Sequence, residues 1–128
     1  MTAVQAAAIL FAIVCLGVIA FQLALAAGAP LGAYAMGGAN PGRLRTTMRV
    51  GAAGQALVLA GLGVIVLSDA GLVWPALADS LPSLIWIAVG FSALSVVLNA
   101  LTRSTMERRI WLPVAVLLLV SSAAVALS

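Results

Sequence analysis

The side chains that could do chemistry inside the apolar stretches of this sequence are amides and hydroxyls, not acids or bases. Ser92, Ser95 and Asn99 are spaced by three and four residues, so a helix would place them on one stripe. Such groups hydrogen-bond to a neutral partner or pin one helix to another, and they do not transfer protons near neutral pH. We predict an uncharged polar cluster, with the pinning of helices favoured over the binding of a guest: Gln22, Gln55, Ser92, Ser95 and Asn99.

Asp, Glu, His, Lys and Arg are missing from the interior of every apolar stretch. Proton relays and ion-coupled transporters place such residues there, so proton-coupled transport is disfavoured. The acidic residues, Asp69, Asp79 and Glu107, fall in or beside the connections. The sequence has no histidine, and Cys15 is its lone cysteine, so it offers no usual metal or haem ligand set. We therefore expect no enzymatic activity, no cofactor and no metal, and a buried, structural Cys15.

The composition places the chain in a lipid bilayer. Of its 128 residues, 65% are hydrophobic and 7% are charged, and the mean hydropathy is +1.27. A bilayer core of ~30 Å needs ~20 apolar residues in a helix, and four runs approach this length, at about 3–27, 50–68, 81–101 and 110–127. The predicted fold is a single all-α integral membrane domain over residues 1–128. It is an antiparallel bundle of four transmembrane helices, arranged as two hairpins with an arginine-bearing turn in each.

The basic residues predict the orientation of that bundle. All six are arginines, three around the first connection, none in the second and three around the third: Arg43, Arg45, Arg49, Arg103, Arg108 and Arg109. By the positive-inside rule the first and third connections face the cytoplasm, which leaves both termini outside. The arginines are expected to contact anionic lipid headgroups, and their confinement to two connections disfavours nucleic-acid binding. The four residues 45–48 also resemble the four residues 103–106, which raises the hypothesis of an internal repeat.

Two helix starts can be placed from local patterns. Ser104 followed by Glu107 has the spacing of a capping box, in which the hydroxyl and the carboxylate each accept an N–H from the other end of the turn. Trp111 follows where an aromatic ring would rest among headgroups. Ser80, with Pro82 just inside, predicts the start of the third span.

The segment 28–42 is the most unusual connection, because it holds five glycines and two prolines but no charge. It cannot form a regular helix throughout. Either it re-enters the membrane, where its backbone must be covered by protein or line a wet cavity, or it is a flexible link at the interface, anchored by Tyr34. The candidate re-entrant and cavity residues are Gly28, Pro30, Gly32, Tyr34, Gly37 and Gly38.

Two functional hypotheses follow from these features. The glycines of the second span, at 51, 54, 61 and 63, let another backbone approach closely. With no site chemistry in the spans, they favour a non-catalytic protein that acts by helix packing, as an accessory or assembly subunit or as a homo-oligomer. The alternative is an uncoupled channel, carrier or lipid- or small-molecule-binding protein that uses the segment 28–42 and the polar cluster. The bias toward Ala, Gly, Val and Arg without lysine is typical of a GC-rich bacterial genome, so we predict a bacterial plasma (inner) membrane location.

Overall fold

The computed structural model describes residues 1–35, 38 and 40–128, and within them every regular element is helical. The absence of β-strands in this part of the chain agrees with the predicted all-α class. The α-helices, numbered in chain order, are α1 (Ala3–Ala26), α2 (Thr46–Asp69), the short α3 (Pro75–Ser80), α4 (Ile85–Leu101) and α5 (Thr105–Ala126).

Four of these elements are long and apolar enough to cross a bilayer, as predicted. They are α1, α2 and α5, with 24, 24 and 22 residues, and the 20 residues Pro82–Leu101, in which a 3-10 turn leads into α4. At ~1.5 Å per residue, 20 helical residues span ~30 Å, which is the thickness of the hydrocarbon core. Large apolar side chains such as Leu16, Leu57 and Leu94 are also exposed on the outside of the protein. The chain is therefore a multi-pass membrane protein.

The helices extend beyond the apolar runs that reveal them. α2 begins at Thr46, and α5 begins at Thr105, so each takes in arginines that lie outside the apolar run. Hydropathy marks only the part of a helix that suits hydrocarbon, whereas backbone hydrogen bonding continues past it. Both helix starts consequently carry cationic side chains in their first turns.

The link between α2 and α4 differs from its prediction. Ser80 was predicted to cap the third span, but it is the last residue of α3, and Leu81 occupies the cap position without a side-chain hydrogen bond. The buried Ser68 organises this link instead: its hydroxyl donates to the Trp74 carbonyl at 2.8 Å and accepts from the Ala78 N–H at 3.2 Å. The prediction failed because Pro75 starts a helix of its own five residues earlier.

Only one of the two hydrogen bonds of the predicted capping box forms at the start of α5. The Ser104 hydroxyl accepts from the Glu107 N–H at 3.2 Å, as predicted. The Ser104 N–H, however, donates to the hydroxyl oxygen of Thr102 at 3.3 Å, so the Glu107 carboxylate does not return to the cap. A complete capping box forms instead at the start of α1, between Thr2 and Gln5.

Neighbouring helices in the chain make the most extensive contacts. α1 packs mainly on α2, α4 packs mainly on α5, and α1 with α5 joins the two pairs. The main core includes Phe11, Leu62, Val66 and Ala88, each at most 4% exposed. A second, smaller core of Leu25, Leu44 and Ala52 joins the end of α1 to the start of α2. The space between the two pairs is where the candidate site lies.

Candidate functional site

A cavity of about 380 Å³ lies between the helices, and α1, α2, α4, α5 and the segment after α1 all contribute to its wall. Its apolar lining comes from Val18, Leu25, Leu59, Phe91, Leu98, Val114, Ala115 and Leu118 among others. This volume is within the ~300–1,000 Å³ range of ligand pockets. The cavity is large enough for a small organic molecule.

Four of the five residues in the predicted polar cluster line this cavity. Gln22 comes from α1, Gln55 from α2, and Ser95 and Asn99 from α4. Ser95 and Asn99 donate to carbonyl oxygens of their own helix, those of Phe91 at 2.9 Å and Ser95 at 2.7 Å. Among the described residues, no side-chain hydrogen bond joins either glutamine to another helix. The glutamine amides therefore face the cavity with hydrogen-bonding capacity to spare.

Ser92 is the member of the cluster that does not line the cavity. It is fully buried one turn before Ser95, and its hydroxyl donates to the Ala88 carbonyl at 2.8 Å. Hydroxyls in membrane helices commonly satisfy themselves in this way on the preceding turn. Ser92 is thus packed protein interior, and it offers a close comparison for Ser95 on the same helix.

Glu107 adds a charge to the cavity that the sequence reasoning did not anticipate. Among the described residues it is the one charged member of the lining, to which no described arginine contributes. Its Oε2 atom is buried and has no hydrogen-bond partner in the described part of the chain. A signal for this placement exists in the sequence, because Glu107, Trp111, Ala115 and Leu118 recur at spacings of four, four and three, which is one face of a helix.

Aromatic side chains form the wall beside Glu107. The rings of Phe21 and Trp111 lie 4.6 Å apart between centroids at an angle of 54°. The Trp111 indole N–H donates to the Tyr34 carbonyl oxygen at 2.8 Å. Trp111 was predicted to rest among headgroups, but it is half-buried and ties α5 to α1 and to the segment 28–42 at the cavity wall.

The described part of the glycine-rich segment packs across the end of the bundle where the arginines lie. The 3-10 turn Gly32–Tyr34 places Tyr34 and Ala35 in the cavity lining. The Gly32 N–H donates to the Gly42 carbonyl at 2.8 Å, which closes the segment on itself. A Cβ on Gly38 would lie 3.1 Å from that of Ser104, so the two arginine-bearing connections meet. We call residues 28–42 the cap; Gly37 lies outside the described residues, and Pro30 is exposed.

The arginines fall into three environments. Arg49 donates from Nε to the Ala26 carbonyl at 2.9 Å, and a Cβ on Gly28, whose φ is +98°, would meet the Arg43 guanidinium. Both side chains therefore lie at the carboxyl end of α1, and Arg49 satisfies one of its free carbonyls. Arg45 and Arg103 are exposed. Arg108 and Arg109 line an open groove on the outer face of α5, whose floor is apolar: Leu112, Pro113, Val116 and Leu117.

Three of the four predicted close-packing glycines of α2 are not used within the described fold, whereas Gly63 is buried. Gly51, Gly54 and Gly61 are exposed, and a Cβ added to any of them would meet nothing within 4 Å. The glycine face therefore points outward from the described fold. If the small size of these residues serves a contact, that contact lies with another molecule.

The fold and site together define a polytopic α-helical protein with a cavity between its helices. Comparison with models of protein families, with curated proteins and with solved structures finds no match to this chain. Within the described residues, no group of three or more His, Cys, Asp or Glu side chains is placed to hold a metal ion. The cavity is consequently the feature of the described fold that bears most directly on function.

Proposed function

We propose that the protein binds a small molecule in the cavity between its helices, as a binding protein or an uncoupled carrier of the membrane. The observation that carries this proposal is the convergence of Gln22, Gln55 and Asn99, from three helices, on one cavity of about 380 Å³. Few but well-placed polar groups in a largely apolar wall are typical of small-molecule sites. The proposed role is binding and passage, without catalysis.

The first experiment compares two serines of α4 as single cysteines, in a background in which Cys15 is replaced by alanine. We expect Ser95→Cys to react with iodoacetamide, a small neutral reagent, because Ser95 lines the cavity. Ser92→Cys should react at least about tenfold more slowly, because a thiol packed in protein neither ionises readily nor meets the reagent. The measurement is the rate of labelling followed by mass spectrometry. Equal, slow rates at both positions would show that small molecules do not reach the cavity.

The proposed setting is the bacterial plasma membrane, with the helices antiparallel and both termini outside. The meeting of the two arginine-bearing connections supports this arrangement, because it gathers all six arginines at one end of the bundle. A carboxyl-terminal reporter active only in the cytoplasm should therefore be inactive.

The groove beside Arg108 and Arg109 suits an anionic phospholipid, with phosphate at the guanidinium groups and an acyl chain along Leu112 and Val116. Loss of co-purifying anionic lipid in an Arg108→Gln/Arg109→Gln variant would test this contact.

A second candidate role is assembly through the glycine face of α2, either with a second copy or within a larger complex. This role is favoured by three exposed glycines at which no other part of the described fold approaches closely. We expect chemical crosslinking in native membranes to give a discrete oligomer, and Gly61→Leu to reduce it severalfold because the leucine holds the partner backbone away. Gly90→Leu is the matched control, since Gly90 is equally exposed and unobstructed on α4. A monomer in both the original protein and the control would contradict this role.

A further inference from the structure

The carboxylate of Glu107 is the feature of the cavity that a neutral guest does not explain. Its Oε2 atom is buried without a hydrogen-bond partner among the described residues. A carboxylate withdrawn from water is costly unless a cation or hydrogen-bond donors replace the lost hydration. The backbone N–H of Ser104, its expected partner, is already bonded to Thr102. Glu107 as a whole is partly exposed, and it lines the cavity as a carboxylate without a cationic partner among the described residues.

The arginines of the chain do not pair with this carboxylate in the described fold. Arg108 is the next residue, but it lines the groove on the outer face of α5 and not the cavity. Arg49 donates to the Ala26 carbonyl, and Arg43 lies beside Gly28, both at the end of α1. Within the described residues, the chain thus supplies no cation to the Glu107 carboxylate.

The surroundings of Glu107 identify the kind of cation that fits. Phe21, Tyr34, Phe91 and Trp111 supply aromatic surface to the same cavity, and aromatic rings attract ammonium groups while they also bury apolar substituents. A bare divalent metal ion is a poor match, because Mg²⁺ and Ca²⁺ bind through several hard oxygen ligands and this cavity supplies one carboxylate. The amides of Gln22 and Gln55 can accept further N–H groups.

We infer that the cavity takes a small organic cation, an ammonium that carries an apolar group, with Glu107 as its counter-ion. The inference rests on the proposed function, since it names the ligand class of the same cavity. In this arrangement the ammonium lies at the arginine end of the bundle beside Glu107 and Trp111. The apolar group extends toward Leu59 and Leu118.

The test is a pair of probes that share a ring and differ in charge, benzylammonium and benzyl alcohol. Their binding to the purified protein in lipid nanodiscs is measured by isothermal titration calorimetry, with empty nanodiscs as the blank. We expect benzylammonium to bind more tightly than the alcohol. We also expect Glu107→Gln to weaken benzylammonium binding by about tenfold to a hundredfold, the usual range for losing one charged hydrogen-bonding partner. Binding of the alcohol should change much less than binding of benzylammonium in that variant, because the alcohol carries no charge.

Two controls separate the inference from the proposed function. Asp79→Asn removes an exposed carboxylate elsewhere and should leave both affinities unchanged, which excludes a general effect of net charge. The comparison of the two probes on the unmodified protein needs no variant, so it holds even if Glu107→Gln fails to fold. Equal binding of the two probes would overturn the cation inference and leave the proposed binding function standing. Failure of both probes to bind would overturn both.

Discussion

Replacing Gly32 with alanine is expected to open the cap. An added Cβ would fall far inside contact distance of the Asn40 carbonyl oxygen and 2.7 Å from that of Gly42, both of them backbone atoms. Backbone atoms cannot move away as the end of a flexible side chain can. The backbone around Gly32 must therefore separate from that around Gly42, and the hydrogen bond from the Gly32 N–H to the Gly42 carbonyl must break. Overpacking of this kind costs about 1–3 kcal/mol. A change of about 1.4 kcal/mol alters the equilibrium constant for local opening about tenfold. Because trypsin cleaves the open form, we expect it to cut after Arg43 about tenfold faster or more.

Gly90→Ala is the matched control for this substitution. Gly90 lies within α4, and a Cβ there would meet nothing within 4 Å. Alanine is the better residue in a helix interior by up to about 1 kcal/mol, so this variant should keep or slightly raise stability and leave cleavage after Arg43 unchanged. If Gly32→Ala is cut no faster than Gly90→Ala, the tight packing of Gly32 does not hold the cap closed.

Leu62→Ala is expected to destabilise the helix bundle. Leu62 is 4% exposed and belongs to the main core formed by α1, α2, α4 and α5. Leucine to alanine in a packed interior costs about 2–5 kcal/mol. In a membrane protein the low end of that range applies, because lipid solvates an apolar side chain as well as the core does and the loss is mainly one of packing. We expect a loss of about 2 kcal/mol in the free energy of unfolding by sodium dodecyl sulfate.

Leu57→Ala is the same truncation on the same helix, at a side chain that is 76% exposed to the surroundings. Because it removes contacts with lipid rather than with protein, it should change the unfolding free energy by less than about 0.5 kcal/mol. Both variants keep the length and charge of α2. A similar loss in the two would mean that the Leu57 face is also packed, as it would be in a stable oligomer through the glycine face.

The helices of this protein are predictable because a bilayer imposes a length and a polarity on them. Four apolar runs of about the right length lead to four long helices, and the Ser104 hydroxyl does cap α5. Where two local groups compete for one hydrogen bond, the sequence does not decide the winner. Thr102 takes the N–H that the capping-box spacing assigned to Glu107, and the carboxylate is released to the cavity.

The sequence predicted which residues meet at the candidate site better than it predicted whether they contact one another or surround a cavity. Depth along each span brought Gln22, Gln55 and Asn99 together, because a helix advances by a fixed rise per residue. Whether such side chains touch one another or stand apart around a space depends on the rotation of each helix about its axis. That rotation is set by packing of residues such as Phe11 and Val66, which hydropathy alone does not resolve. For the same reason Phe21 and Trp111 escaped notice as wall residues.

The pairing of chain neighbours, α1 with α2 and α4 with α5, sets the order in which this molecule can be built. A ribosome releases α1 and α2 first, and their mutual surface needs nothing from the later half of the chain, so this pair can assemble while synthesis continues. The cavity has no such early form. Its wall closes only after α5 brings Glu107 and Trp111 against α1. A chain truncated before α5 is therefore expected to insert in the membrane and to lack the binding that we propose.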